Sequence, residues 1–311
     1  MSDKNRTTVR TARWALRRAA LRALHPLAPE SAAAMAATWF LMPDLGRDRR
    51  PPANANQDGR RFDVIAGGIQ LAAWEWGPAR GPAVVLAHGW NGRGRQLAAI
   101  ARAIAARGYR AVTFDMPGHG ASGGRLASIP RMADAIAAVS EAVGGAEAIV
   151  AHSLGAVAAT WALERGLGAR RAVFVAPPVS PARWIDHFSR IVGLPDQSRP
   201  RLLKSVEARA GVPAAELDPL VLASRQEASL LVVHDDGDRE VPLAAGAALA
   251  AAWPRARLVT TSGLGHNRLL ADRGVIATIV DAAAPEQRLA TPAPIELREP
   301  HLAEVAEAVR F

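Results

Sequence analysis

A single hydroxyl sits where a β-prone run meets a run of helix formers, in Ala148-Ile149-Val150-Ala151-His152-Ser153-Leu154-Gly155-Ala156. A strand that turns straight into a helix strains the backbone at the corner. Ala151 and Gly155, two residues to either side of Ser153, are small enough to let strand and helix close up. The serine oxygen then stands clear of the carboxyl edge of a sheet, and the helix N-terminus behind it favours negative charge. The chemistry that suits this placement is nucleophilic attack, provided that a base and a charge-stabilising pocket come from elsewhere in the chain.

Composition narrows the field. Half of the 311 residues are hydrophobic and 22% are charged, enough for a sizeable core in one large domain or two smaller ones. There is no cysteine. That excludes disulfides, zinc–thiolate sites and cysteine nucleophiles, and it fits a reducing compartment, so a cytoplasmic location is expected. The net charge of +9 invites a nucleic-acid reading, but residues 1–61 hold 12 Lys and Arg against 5 Asp and Glu. The body therefore carries only +2, with one tyrosine and no interleaving of aromatic and basic residues for base stacking; no nucleic-acid partner is expected.

Residues 8–25 are rich in Ala, Leu and Arg and predict a helix. On a helical wheel the arginines interleave with Trp14, Leu21 and Leu24, so the amphipathic signal is poor. Two readings of this arm stand: weak contact with an anionic membrane surface, or a solvated, partly docked arm, and the second is favoured. The apolar run Ser31–Met42 is 12 residues long, short of the ~20 that span a bilayer. It also lies too far in, behind too many arginines, for an ordinary secretory signal. Residues 47–61, with Pro51-Pro52 and no periodicity, read as a linker.

Beyond the linker, Phe62–Ala66 and Ile69–Trp76 flank Gly67-Gly68 as a hairpin. Short apolar strands then alternate with helical stretches, which predicts a mostly parallel central sheet with helices on both faces. Strands are expected at 83–87, 110–114, 148–151, 171–176, 230–233 and 257–261, with helices at 96–107 and 132–143. Residues 179–228 break the alternation with helical spacing throughout, and another helix runs from about 263 to 283. Gly118-His119-Gly120-Ala121-Ser122-Gly123 fits a dinucleotide fingerprint, yet Gly124 and Pro130 postpone the next helix, so no pyrophosphate site is expected. His234-Asp235-Asp236-Gly237-Asp238 lacks the alternating ligands of a calcium loop. Asp235 and Asp236 are expected to be solvated loop charges.

Taken in order, five stretches resemble the α/β-hydrolase family. Ala151-His152-Ser153-Leu154-Gly155 is similar to its nucleophile elbow, with alanine for the first glycine. His88-Gly89-Trp90 resembles its oxyanion loop, and Asp115-Met116-Pro117-Gly118-His119-Gly120-Ala121-Ser122 its D-x-P-G-x-G-x-S loop. His234 to Pro242 resembles His-Gly-x-x-Asp-x-x-Val-Pro, with Asp235 for the glycine, and Gly265-His266 its histidine loop. The resemblance implies Ser153 as nucleophile, Asp238 as acid and His266 as base. It implies the backbone N–H groups of Trp90 and Leu154 as oxyanion donors, and a helical cap at about 179–228 offering Trp184 and Phe188 to a substrate pocket. His88 is read as structural and His119 as a loop residue. The expected organisation is an arm and linker at 1–61, a hydrolase domain at 62–283 and a tail at 284–311 with a docked helix. The implied activity is cofactor-free, metal-free hydrolysis of a small-molecule ester or thioester. The alternatives are acyl transfer, or amide or carbon–carbon hydrolysis, on the same residues, and a non-enzymatic binding protein on the same fold.

Overall fold

The computed structural model describes residues 3–43 and 59–286, with side chains from Trp14 onward. The tail helix expected within 284–311 and most of the linker lie outside the described residues. Two helices come first, α1 (Asp3–Leu24) and α2 (Pro29–Phe40). The hairpin follows as β1 (Arg60–Ala66) and β2 (Ile69–Trp76), turning on Gly67 and Gly68, both at positive φ. β1 starts two residues before Phe62 because Arg60 pairs across the hairpin with the buried Glu75, which Arg110 meets from the other side.

The body then runs β3 (Ala83–Ala87), α3 (Ala98–Ala105), β4 (Arg110–Phe114), α4 (Ile129–Ala142), β5 (Ala146–His152), α5 (Leu154–Glu164) and β6 (Arg171–Val175). The cap follows: α6 (Pro181–Val192), α7 (Arg199–Ala210) and α8 (Pro219–Ala223). The described residues end with β7 (Ser229–Asp235), α9 (Leu243–Ala252), β8 (Ala256–Thr261), α10 (Gly265–Arg268) and α11 (Arg273–Ala283). The last helical stretch is therefore broken, not continuous: Asp272 stands extended and caps α11 through the Val275 N–H at 3.0 Å.

The eight strands lie in the order β1-β2-β4-β3-β5-β6-β7-β8, with β2 antiparallel to both its neighbours and every later pair parallel. Alternate strand residues feed opposite layers, as the two-residue period requires. Val85, Val112, Ile149 and Phe174 pack with Met132 and Ile136 of α4, Ala158 and Ala159 of α5 and Leu249 of α9. Val84, Leu86, Val150 and Val173 pack with Ile100 and Ile104 of α3 and Ile279 of α11. The expected α/β class, with helices on both faces, is what forms.

A third core lies apart from the sheet. Leu21 of α1 and Ala32, Ala36 and Ala37 of α2 pack with Leu41 and with Ile185, Val192, Leu202 and Val206 of the cap. Of the solvated, partly docked arm expected at the N-terminus, the described residues 14–42 dock on the cap through this core, with Leu16 and Leu27 left exposed. Arg17 stacks over the rings of Trp14 and Trp39 at 4.8 and 5.2 Å, and Arg18 donates to the Ile191 carbonyl in the last turn of α6 at 2.6 Å. Arg17 and Arg18 are thus part of the docking face. Among the described residues no helix is long and apolar enough to cross a membrane.

Candidate active site

Ser153 occupies the corner between β5 and α5 at φ 51° and ψ −128°, a conformation that L residues rarely hold. Its own N–H is fixed by the Val175 carbonyl at 2.9 Å. Two glycines make the corner fit. A Cβ on Gly155 would lie 2.6 Å from the His88 carbonyl oxygen, and one on Gly89 would lie 2.8 Å from Ser153 Cβ. The loop after β3 can approach the serine only because neither residue has a side chain.

That loop is braced from behind by two buried histidines. His88 donates from Nδ1 to the Gly89 carbonyl at 2.7 Å and accepts at Nε2 from the Met116 N–H at 2.9 Å. His119 donates from Nδ1 to the Pro117 carbonyl at 2.9 Å and accepts at Nε2 from the Asn91 N–H at 3.2 Å. Each ring therefore ties the β3 loop to the β4 loop. Burial holds both in the neutral form, His88 at about 4 and His119 at about 3. Asp115 completes the brace by accepting from the N–H groups of Gly94 and Ala121, each at 2.8 Å, and its burial pushes its carboxyl up. These contacts bind loop to loop and make the carboxylate a structural part. Among the described residues, no backbone carbonyl accepts from the N–H of Trp90 or Leu154.

Opposite the serine, His266 donates from Nδ1 to Asp238 Oδ2 at 2.7 Å. The other carboxylate oxygen, Oδ1, accepts from the N–H groups of Glu240 and Val241 at 2.8 and 2.9 Å. The acid is buried and saturated, so it holds one ring edge firmly and leaves His266 Nε2 for other partners. His152 packs its ring 4.7 Å from that of His266 and donates from Nε2 to the His266 carbonyl at 3.0 Å. Burial, aided by the neighbouring His266, lowers His152 to about 4. Ser153 and His266 share one cavity of about 600 Å³ but are not hydrogen-bonded to each other. Catalytic hydrogen bonds are often long before substrate binds.

Asp235 is the chief departure from the expectations. It is fully buried, not solvated, and only Asp236 of the pair is exposed. Asp235 Oδ1 accepts from Gly237 at 3.0 Å and Gly265 at 2.8 Å, while Oδ2 accepts from Leu264 at 2.9 Å and from the Thr261 hydroxyl at 2.8 Å. Burial alone would push its carboxyl up; the four donors outweigh it and bring it down to about 2. The residue standing in for a glycine thus clamps the loop that carries His266.

Trp90 and Leu154 line the cavity, as do Trp184 and Phe188 of the cap. Composition and periodicity do not bring Trp14, Trp39 and Phe40 to it, yet all three line it as well.

Likeness to known proteins follows the same frame. The alpha/beta hydrolase family model matches residues 84–278. No curated protein matches the chain. Among solved structures, Rv0554 from Mycobacterium tuberculosis is 23% identical with a TM-score of 0.58, over 73% of this chain and all of its own (100%). The ferulic-acid-bound Est1E from Butyrivibrio proteoclasticus is 19% identical with a TM-score of 0.57, over 71% of this chain and 98% of its own. A monoacylglycerol lipase from Paleococcus ferrophilus is 21% identical with a TM-score of 0.56, over 70% of this chain and 99% of its own. With its sheet order, its strained serine corner and a family match over well more than half of its length, the chain belongs to the α/β-hydrolase family.

Proposed function

We propose that this hydrolase cleaves a carboxylic ester or thioester through an acyl-enzyme on Ser153. His266 takes the proton of the serine hydroxyl as Oγ attacks the carbonyl carbon, then delivers it to the leaving alcohol or thiol. Asp238 fixes the imidazole with its proton on Nδ1 and stabilises the imidazolium that forms. The N–H groups of Trp90 and Leu154 receive the charge that develops on the former carbonyl oxygen. Water, deprotonated by His266, then releases the acid. The observation that carries this reading is the 2.7 Å bond from His266 to a buried, doubly anchored Asp238, in one cavity with a serine held at positive φ. Two of the similar structures, Est1E with bound ferulic acid and a monoacylglycerol lipase, agree with an ester as substrate.

Labelling with a fluorophosphonate tests it. The wild-type chain is expected to label and to turn over p-nitrophenyl esters, and Ser153→Ala to do neither while keeping its circular-dichroism spectrum and melting transition. Turnover surviving in a folded Ser153→Ala protein excludes the mechanism.

A further inference from the structure

The cavity that holds Ser153 and His266 does not end at the cap. Trp14 of α1, Trp39 and Phe40 of α2, and the following Leu41 and Met42 all line it. We propose that the N-terminal helices form the far wall of an acyl-chain pocket and select esters of medium to long uncharged acyl chains. The proposal rests on the acyl-enzyme reading above for which part of the substrate enters the pocket.

Three observations support it. The wall is built, not incidental: Phe188 of the cap takes the edge of Trp14 at 6.0 Å and of Phe40 at 5.3 Å, so three rings from three helices meet in one cluster. The helices are tied to the rest of the molecule. His25 bonds Ser198 in the cap, Glu30 receives Arg201 at 2.8 Å, and the Leu41 carbonyl accepts from Ala127 of the body at 2.8 Å. Finally, the lining suits hydrocarbon. Its described residues include no Arg or Lys, and its carboxylates are Glu240, beside His266, and Glu207, whose Oε1 accepts from Ala214 at 2.8 Å. A negatively charged acyl group would find no Arg or Lys among these residues to pair with. At about 600 Å³ the space is of a size that takes a whole small-molecule ligand, far beyond an acetyl group.

Each buried methylene favours binding by about fourfold. With one leaving group throughout, kcat/KM for p-nitrophenyl octanoate should therefore exceed that for the butyrate by on the order of 10²-fold. Removing a ring from the far wall should lower this ratio by on the order of tenfold in Trp14→Ala and in Phe40→Ala, with Trp14→Phe recovering much of it. Leu16 lies on the same helix but is 72% exposed and does not line the cavity, so Leu16→Ala should keep the wild-type ratio. A ratio unchanged in both Trp14→Ala and Phe40→Ala overturns the proposal. So does an equal fall on both esters, which would mark the helices as structural only, and so does a wild-type series that is flat in acyl length. Binding separates this from the catalytic reading. In Ser153→Ala protein, calorimetry should find octan-2-one bound more tightly than butan-2-one, and Trp14→Ala should shrink that difference. If the ketone preference holds in Ser153→Ala while the wild-type chain turns over no ester, the catalytic reading fails and the pocket stands; if the ketones bind alike, the pocket fails.

Discussion

The floor and the roof of the cavity are held by different forces. The floor is a set of loops at the carboxyl edge of the sheet, and nearly every one is fixed by side chains that bond to backbone: His88, His119, Asp115, Asp235 and Asp238 together engage four loops, those after β3, β4, β7 and β8. The roof, made of α1, α2 and the cap, is held mainly by alanines, leucines and aromatic rings. Hydrogen bonds are directional and fix atoms to tenths of an ångström, whereas apolar packing tolerates exchange of similar volumes. The floor is thus suited to bond chemistry and the roof to choosing what lies beneath it.

The largest break in this contrast should come at the floor. Asp238→Asn is expected to lower kcat by on the order of 10⁴, because an amide that keeps its carbonyl toward the Glu240 and Val241 N–H groups turns its NH₂ toward His266 and imposes the wrong tautomer. Steady-state kinetics on a short ester, with a melting curve to confirm folding, checks this. A loss under tenfold would remove Asp238 from the mechanism.

Asp235→Asn comes next. With its NH₂ in place of Oδ1 the amide faces the Gly237 and Gly265 N–H groups; in place of Oδ2 the Thr261 hydroxyl can turn to accept, but the Leu264 N–H and the amide N–H that faces it stay unpaired. Leaving buried donors unpaired costs about 1–3 kcal/mol each. The variant should therefore lose about 2–4 kcal/mol by urea denaturation and, with the His266 loop displaced, on the order of 10² in kcat. Asp236→Asn, an exposed neighbour, should stay within about 0.5 kcal/mol of wild type. Equal behaviour of the two variants would contradict the clamp.

This pair shows where the sequence stops being legible. The sheet is readable from the alternation of apolar runs and turn residues, and the elbow and the pairing of His266 with Asp238 from the family patterns that those stretches resemble. Asp235 is not, since two of its donors, Leu264 and Gly265, lie 29 and 30 residues away. An aspartate next to two others looks like a solvated run until the fold brings those N–H groups to it. The arm misleads for a related reason. A helical wheel counts arginine as solvent-facing, but Arg17 lies on two indoles and Arg18 bonds a helix C-terminus, which is where a cation is stabilised. The cap helices are visible from periodicity and α1 from its composition; their mutual packing is not, because nothing in a string of alanines and leucines names its partner.

Acid should weaken the floor more gradually. His88 and His152 titrate at about 4 and His119 at about 3 in the folded chain, against 6.5 when unfolded, with burial the main cause in each. Below pH 6.5 the unfolded chain binds protons that the folded chain refuses. Their contribution is thus fully present above pH 6.5 and is lost as pH falls towards 4, and towards 3 for His119, by up to a few kcal/mol for each ring. Asp235 adds a loss of the same sign at lower pH, as pH falls from 3.8 through about 2. Urea midpoints measured from pH 7.5 to 4 should decline through this window. A flat profile would show that the rings are not held neutral.

The smallest effect belongs to the roof, and it tests whether roof and floor are separable at all. Leu21 is 1% exposed and packs with Ala32, Ala36, Ala37 and Leu41 against Ile185, Leu202 and Val206. Truncating a buried leucine to alanine costs about 2–5 kcal/mol. Leu21 belongs to neither layer packed on the sheet, so that cost should fall on local undocking of α1 and α2 and not on global unfolding. Hydrogen exchange of Leu21→Ala should show the amides of residues 14–41 opening on the order of 10²-fold more often, with those of β3, β5 and α5 unchanged. Leu27→Ala, at a position 85% exposed, should change neither set. If Leu21→Ala instead speeds exchange through β5 and α5 to the same degree, the arm, the cap and the sheet unfold as one unit. The strained serine corner would then depend on the roof for its stability, and the division of labour between hydrogen-bonded floor and packed roof would not hold.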